Sequence, residues 1–257
     1  LTALPPISTP ADCRRQRQMC IRDRLWEDND KKKGFEVDDS IVDLLFNIEC
    51  RELPVDHIYH LSRAIKDALP GHVSEDLGIH PIHLAGSQNG WERPDESLGQ
   101  NLILSKRTKL ILRVKKEHQE EVTRLLNGKI LDINGFEMKI KKPKIRKLSK
   151  EGTVFSRSIV CSENEKEDEL AFMKRIQIEL SELGIDIKKA LCGKINPVKT
   201  PDGMLYTRSL MLAELKPEDA LKIQQRGLGE HQDIGCGLFL PHKGIDAVGE
   251  STDDKGI

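Results

Sequence analysis

Histidines are the residues of this 257-residue chain best suited to acid–base chemistry near neutral pH, and it has eight of them. His57 and His60 are three positions apart, so in a helix they share one face. Pro54 and Asp56 precede them and are typical of a helix start. Because a helix N-terminus disfavours a cation and can hold an anion, we expect His57 to be neutral, as a general base must be.

Each candidate histidine also has a structural alternative. His57 could be a surface or capping residue, and His60 could pair with Asp56 four positions earlier. His80 and His83 fall in a predicted strand whose alternation places them on opposite faces. His80 could equally be a core histidine. A metal site could be built from His57, His60 and His80, but no nearby Asp or Glu pattern demands one, so we expect no metal.

The glycine-rich segment GLGEHQDIGCGLFLPHKG, residues 227–244, is a second chemical feature. Glycine permits a positive φ, and exposed N–H groups on such a loop can face phosphate oxygens. The segment lacks the G-K-S/T of a Walker loop, and its place after a helix excludes a dinucleotide fingerprint. The alternative is a glycine-rich turn without a ligand. The candidate binding residues here are Gly227, Gly229, Gly235, Gly237 and Lys243.

Charge is distributed unevenly along the chain. The net charge of −1 argues by itself against a nucleic-acid partner. Residues 101–150, however, contain fifteen Lys or Arg and five Asp or Glu, whereas 163–169 (ENEKEDE) are acidic. This asymmetry favours a polyanion-binding face over the alternative of a solvated lysine-rich surface. The cationic candidates are Lys106, Arg107, Arg113, Lys141, Lys142, Lys144, Arg146 and, further along, Arg208.

Composition excludes several classes of protein. No run of 18 apolar residues exists, so no membrane span is expected, and no signal peptide is visible. The six cysteines form no C-x-x-C pair, so zinc-ribbon spacing is absent and reduced, mostly buried thiols are favoured. We therefore expect a cytoplasmic protein.

Hydrophobic periodicity predicts the elements that must position these groups. The expected order in the first half is β-α-β-β-α-β, the ferredoxin-like unit. Its elements are a strand at 41–50, a helix carrying Ile58, Leu61, Ile65 and Leu69 and ended by Pro70-Gly71, strands at 79–84 and 108–114, a helix at 116–126, and a strand or hairpin at 130–140.

The same order recurs in the second half. Its elements are strands at 153–161, 185–195, 205–215 and 234–240, with helices at 168–183 and from Pro217 to Gly227. Residues 141–150 are interpreted as the linker. The predicted fold class is α+β, with two tandem ferredoxin-like domains at 37–147 and 148–246. Residues 1–36 are interpreted as a disordered or artefactual lead-in, because RRQRQMCIRDR resembles translated sequencing adapter, and 247–257 as an acidic tail.

A glycine loop between the last helix and last strand of a second ferredoxin-like half is the hallmark of the RAMP superfamily. The sequence resembles its CRISPR repeat-processing endoribonucleases, specifically the Myxan-type subfamily, over roughly residues 38–246. The segments that carry the resemblance are LPVDHIYHLSRAI (53–65), GIHPIHLAGSQNGW (78–91), LSKRTKLILRV (104–114), LYTRSLMLAELKPEDALKIQQRGLG (205–229) and IGCGLFLPHKGI (234–245).

The resemblance implies an endoribonuclease that cuts CRISPR repeat RNA without metal or cofactor, by 2′-OH attack that leaves a 2′,3′-cyclic phosphate. It implies catalytic histidines at the start of the first helix, with His57 first, His60 second, and His80 from the matching GIHPI block. The basic candidates and the glycine loop would then hold RNA. Since only 4% of residues are aromatic, recognition through backbone and shape is favoured over base stacking.

Two alternatives remain open at this point. The first is a RAMP subunit that binds guide RNA without cutting it, with other CRISPR effector subunits as further partners. The second is a ferredoxin-like domain that binds a small molecule. RNA binding would weaken steeply with salt, whereas the small-molecule alternative predicts no RNA affinity.

Overall fold

Two antiparallel sheets dominate the described part of the protein, residues 39–82 and 101–242 of a computed structural model. The strands are β1 (Ile41–Glu49), β2 (Glu52–Pro54), β3 (Gly78–Ile79), β4 (Asn101–Ile103), β5 (Lys109–Lys115), β6 (Ile130–Ile133), β7 (Phe136–Lys147), β8 (Val154–Val160), β9 (Lys189–Thr200), β10 (Gly203–Ala213) and β11 (Leu240–Pro241). The α-helices are α1 (Ile58–Lys66), α2 (Gly71–Ser74), α3 (Gln119–Leu126), α4 (Glu169–Glu182) and α5 (Pro217–Arg226).

The first sheet has the strand order β3-β5-β1-β7-β6, and its neighbouring strands are antiparallel. Alternate residues of β1 are apolar, so Val42, Leu44 and Phe46 share one buried face. Leu61 of α1 and Val122 of α3 pack into the same core. The opposite face of the sheet is left for charged side chains and for contacts with the second half.

The second sheet has the order β11-β8-β10-β9 and is also antiparallel. Strands β9 and β10 form a long hairpin closed by a turn at Pro201 and Asp202. Phe172 and Ile176 of α4 pack with Ile223 of α5 and Leu210 of β10 in a second core. Strands β2 and β4 form a separate two-stranded sheet.

Local signals explain where the helices of the second half begin and end. Asp168 caps α4, because its carboxylate accepts a hydrogen bond of 3.0 Å from the N–H of Ala171. Pro217 occupies the first turn of α5, followed by Glu218 and Asp219, which suit the helix N-terminus. Gly227 ends α5 with a φ of 71°. The helices predicted over these residues are confirmed.

A small apolar cluster joins the two halves. It contains Ile58 at the start of α1, Val198 of β9, and Ile234 and Cys236 of the glycine-rich segment. All described residues belong to one compact unit. Burial raises the pKa of the Cys236 thiol to about 12, so it packs as a neutral group. The cysteines among the described residues are free thiols. No described helix has the length and apolarity that a bilayer crossing needs.

The linker prediction for residues 141–150 is wrong over most of its length. Strand β7 continues to Lys147 and pairs with β1, so that Lys144 lies opposite Leu45. Lysines alternate with Pro143 and Ile145 here, and this alternation extends the strand although the composition suggests a loop. Much of the basic charge is therefore fixed on the first sheet.

The start of the first helix also differs from the prediction. Pro54 lies in β2 rather than in the first turn, because β2 pairs Pro54 with Asn101. Helix α1 begins at Ile58, with His57 as its N-cap, and ends at Lys66. Residues 71–74 form the separate helix α2, since Pro70 is its extended N-cap.

Two strand predictions were too long. A strand was predicted at 79–84, but β3 comprises Gly78–Ile79, and residues 83 and 84 lie outside the described part. The last strand, predicted at 234–240, is reduced to Leu240–Pro241. Gly235 and Gly237 have φ angles of 82° and 67°, which an extended strand cannot contain. Residues 85–100, both chain termini, and Lys243 also lie outside the described residues.

Candidate functional site

His57 is a buried bridge between two chain segments. It is 2% exposed. Its Nδ1 lies 3.0 Å from the carbonyl oxygen of Pro54, and its Nε2 lies 3.2 Å from the backbone N of Ile82. A carbonyl can only accept and an amide can only donate, so the geometry assigns the neutral tautomer with its proton on Nδ1. The ring is neutral, but its Nε2 lone pair already accepts from Ile82.

His60 lies in the first turn of α1 and is partly exposed. Its ring meets that of Tyr59 edge-on, with 5.8 Å between the centroids. Asp56 forms an ion pair with Lys199 of β9, whose Nζ lies 3.9 Å from Asp56 Oδ2. Among the three candidate histidines, His60 is therefore the one that a ligand can reach in this conformation.

His80 follows β3 and lies at the interface between the two halves. It is 5% exposed, and its backbone N–H donates to the carbonyl oxygen of Ile111 over 3.0 Å. Two positions earlier, Gly78 is so close to Leu238 that an added Cβ would lie 3.0 Å from its side chain. His80 lines the same cleft as Gly235 and Leu238, so it lies beside the glycine-rich segment.

A basic cleft opens beside His80, between β5 of the first sheet and β8 and β11 of the second. Its volume is about 420 Å³, within the range of small-ligand sites. None of the described residues that line it is Asp or Glu. Its cationic or titratable basic side chains are His80, Arg107, Lys109, Arg157 and His242.

Phe155 supplies an aromatic surface in this cleft. The His242 ring lies 5.8 Å from the Phe155 ring between centroids, and the guanidinium carbon of Arg157 lies 5.7 Å from the Phe155 centroid. Lys109 and Arg157 were not among the predicted site residues. The signal for Arg157 was its position two residues after Phe155 in a strand, which puts both on one face.

The face of the first sheet opposite its helices carries a row of charges. Asp43 lies opposite Arg113 on one side and Arg146 on the other, and registered side chains of antiparallel strands share a face. Arg146 donates through Nη2 to Asp43 Oδ2 over 2.9 Å and is only partly buried. Lys144, two residues before it, is exposed on the same face.

Arg113 is an internal residue and not part of the basic surface, contrary to the prediction. It is 4% exposed. Its Nε and Nη2 donate to Asp43 Oδ1 and Oδ2 over 2.9 and 3.2 Å, and its Nη1 donates to the carbonyl oxygen of Gln224 in α5 over 2.7 Å. Burial raises the pKa of Asp43, but Arg113, followed by His80 and Arg146, lowers it below its usual value. Arg113 therefore ties the first sheet to the second half.

Arg208 is internal as well. It is 7% exposed, and its Nη1 and Nη2 donate to the carbonyl oxygens of Gly193 and Lys166, each over 3.1 Å. These bonds hold β9 and the segment before α4 against β10. Alternation along the strand showed which face Arg208 occupies, but not that other segments would cover it.

The glycine-rich loop uses most of its backbone for internal contacts. The N–H groups of Gly227, Gly235 and Gly237 donate to carbonyl oxygens of the chain itself, at 2.9, 3.0 and 2.6 Å. An added Cβ at Gly235 would lie 2.8 Å from the carbonyl oxygen of Ile79, so the loop packs closely on the first half. These three glycines are buried, and only Gly229 of the four described candidates is exposed.

The remaining cationic candidates lie at the surface. Lys106 and Arg107 precede β5, and both are exposed. Lys141 and Lys142 are exposed on β7, where Lys141 forms an ion pair with Glu49. An ion pair lowers the net charge that a side chain offers to an anion, so Lys141 is a weaker candidate than Lys142.

Comparisons with known proteins agree with this architecture. The chain is 28% identical over 201 residues to the CRISPR-associated endonuclease Cas6 of Myxococcus xanthus (strain DK1622), covering 78% of this chain and 81% of that protein. Two solved structures share its fold at 13% identity. One, a CRISPR associated protein Cas6, has a TM-score of 0.52 and covers 79% of this chain and 99% of its own. The other, a Cas6-related protein from Pyrococcus furiosus, has a TM-score of 0.50 and covers 77% and 97%.

The family comparison covers both sheets. The model of the family described as Cas6 Crispr matches residues 42–244, which extend from the second residue of β1 to beyond β11. It spans the candidate histidines, the basic cleft and the glycine-rich loop. This chain belongs to the Cas6 family.

Proposed function

We propose that this protein is an endoribonuclease that cuts CRISPR repeat RNA to release guide RNAs. The observation that carries the proposal is the basic cleft between the two sheets, which has no acidic lining residue among those described. A polyanion is attracted to such a surface. Membership of the Cas6 family and the name of the M. xanthus relative, an endonuclease, support RNA cutting over simple polyanion binding.

Each half is proposed to be a ferredoxin-like domain, at residues 37–147 and 148–246. In the second half, β8, β9, β10 and β11 are the first to the fourth strands along the chain. Their order across the sheet is fourth, first, third, second. In the first half, β7, β1, β5 and β3 lie in the same order, and β6 extends the sheet beside β7. The cleft then lies between two similar units.

RNA phosphates are proposed to contact the cleft and the adjoining charged face of the first sheet. Arg107, Lys109 and Arg157 would hold the backbone in the cleft. Lys144 and Arg146 would extend the contact along β7. Phe155 offers a stacking surface for one base. Gly229 is the exposed one among the described glycines of the loop, and its N–H group is proposed to face a phosphate.

The proposed reaction is attack of a ribose 2′-OH on the adjacent phosphorus. The 2′-OH loses its proton to a base, the P–O5′ bond breaks, and an acid protonates the 5′-oxygen. The products are a 2′,3′-cyclic phosphate and a 5′-OH. None of the described side chains lining the cleft is a carboxylate, the ligand that Mg²⁺ prefers, so the reaction is proposed to be metal-independent.

His57, His60 and His80 are the proposed catalytic histidines. His60 can reach RNA in the present conformation because it is partly exposed. His57 could accept a proton only after its Nε2 exchanges the Ile82 hydrogen bond for the 2′-OH. His80 lines the cleft in which the RNA backbone is proposed to lie.

Binding without cutting is the second candidate function. The observation in its favour is that His57 uses both ring nitrogens internally, so its first role could be to hold α1 in place. A guide-RNA-binding subunit of an effector complex would keep the cleft but lack turnover.

The test is incubation with the host's repeat RNA in EDTA, beside the same RNA with a 2′-deoxy nucleotide at the cut site. We expect cutting of the first RNA only, since the attacking oxygen is missing from the second. Cutting that requires Mg²⁺ would contradict the metal-independent mechanism. Binding of the repeat without any cutting would favour the second candidate.

A further inference from the structure

A cluster of two histidines and a glutamate lies on the first half, apart from the cleft. His72, His118 and Glu121 each place one potential ligand atom so that the three atoms lie within 4.8 Å of one another. His72 Nε2 is 3.3 Å from Glu121 Oε2, and the rings of His72 and His118 are 5.8 Å apart between centroids. His72 thus meets His118, which is 46 positions later in the sequence, at the surface.

The backbone beneath the cluster is anchored. His72 lies in α2 next to the buried Val73, and Glu121 lies in α3 next to the buried Val122. Both valines belong to the core of the first sheet. His118 is the N-cap of α3, so it and Glu121 are three residues apart and on one side of the first turn. The donors therefore start from fixed positions and need only side-chain rotation to close on a common centre.

From this geometry we propose that His72, His118 and Glu121 bind a divalent transition-metal ion of the zinc class. Two imidazoles and one carboxylate match the nitrogen and oxygen ligands that Zn²⁺, Co²⁺ and Ni²⁺ accept, with water completing the coordination. Mg²⁺ and Ca²⁺ prefer sites made entirely of oxygen ligands and are poor fits. The metal replaces the His72–Glu121 hydrogen bond with two stronger links between α2 and α3.

A bound metal would therefore link α2 to α3 within the first half. Helix α2 lies between α1 and β3, the segment that leads to His80. A metal that joins α2 to α3 stabilises the folded state over the unfolded chain, which lacks the preformed site. The core valines below the cluster belong to the helix-covered face of the sheet, whereas Asp43 and Arg113 mark the opposite face. EDTA also removes a metal from this site, so RNA cutting in EDTA tests the proposed function alone, and the site is tested separately by metal binding without RNA.

The test measures Co²⁺ and Zn²⁺ binding to the full chain, together with the melting temperature with and without metal. The variants are His72→Ala and Glu121→Gln. The matched control is His231→Asn, which removes another exposed histidine and suits the left-handed conformation there. We expect the two cluster variants to lose about tenfold or more in affinity and to lose the metal-induced rise in melting temperature, while the control keeps both.

Two results would overturn the site. One is equal metal affinity in the wild type and both cluster variants. The other is a sulfur-to-cobalt charge-transfer band in the Co²⁺ spectrum, which would assign the metal to the free cysteines. If His72→Ala does not fold, as judged by its metal-free melting curve, His118→Asn provides the same test.

Discussion

The basic cleft and the glycine-rich loop both contain residue types suited to phosphate binding, yet they differ in what they leave available. The cleft keeps Arg107 and Arg157 at its lining, and none of its described lining residues is Asp or Glu. The loop commits the N–H groups of three glycines to its own chain and packs against the first half. Residue type indicates what a group can do, whereas packing decides whether a ligand can reach it.

The largest expected effect comes from the buried ion pair that joins the halves. Arg113→Ala leaves Asp43 buried without its main partner, and loss of one member of such a pair costs about 3–5 kcal/mol. We expect that loss in the free energy of unfolding, measured with urea. The control is Lys144→Ala, an exposed cation on the same face, which should stay within about 0.5 kcal/mol of the wild type.

The same pair predicts a pH dependence. Its folded-state pKa is lowered, so Asp43 adds stability above the ordinary carboxyl value of 3.8 and loses it as the pH falls through the folded pKa. The stability difference between the wild type and Asp43→Asn should therefore be constant near neutral pH and shrink below about pH 3.8. A difference that grows on acidification would contradict the assigned direction.

Glycine substitutions separate the structural part of the loop from its exposed part. Gly237→Ala adds a Cβ 2.0 Å from the carbonyl oxygen of Leu228 at a φ of 67°, so we expect a loss of more than about 2 kcal/mol in unfolding free energy. Gly229→Ala has a similar φ but open space around it, and should cost only about 1 kcal/mol. Equal losses at the two positions would mean that the loop is not packed as described.

Cleft cations should change RNA binding without changing stability. In Arg107→Ala/Arg157→Ala, each lost phosphate contact should lower the slope of log affinity against log salt by about 0.7 for single-stranded RNA. Titrations at several salt concentrations measure this slope, with urea unfolding as the check on the fold. An unchanged slope would show that Arg107 and Arg157 make no contact with RNA phosphates.

The smallest expected effect distinguishes two lysines of β7. Lys144→Ala should lower RNA affinity more than Lys141→Ala, because Glu49 already offsets the charge of Lys141. The comparison uses the same RNA at one salt concentration. The reverse order would show that RNA follows the edge near Glu49 rather than the face that carries Lys144.

The sequence was most informative where periodicity and capping agreed. Strand β1 and helices α4 and α5 follow their predicted bounds closely, because alternation, Asp168 and Pro217 indicate the same limits. The continuation of strand β7 from residue 141 to Lys147 was not predicted, because a lysine-rich stretch containing Pro143 is typical of a loop. The burial of Arg113 and Arg208 could not be recognised from the sequence. Alternation shows on which face of a strand a residue lies, but not which distant segment covers that face.

The histidines show the same limit. Their place at the start of α1 was predicted, but the burial of His57 depends on Ile82, which is distant in sequence. A single sequence does not encode that contact in any local pattern. Arg113 is comparable, because its third hydrogen bond goes to Gln224 in the other half.

Single-turnover cleavage by the three histidine variants tests the central claim most directly. The RNA is the host repeat in EDTA, and RNA affinity is measured in parallel for His57→Ala, His60→Ala and His80→Ala. We expect a rate loss of about 10²–10⁴-fold in at least one variant with RNA binding retained. Wild-type cleavage rates in all three variants, or a wild-type protein that binds the repeat and never cuts it, would contradict it.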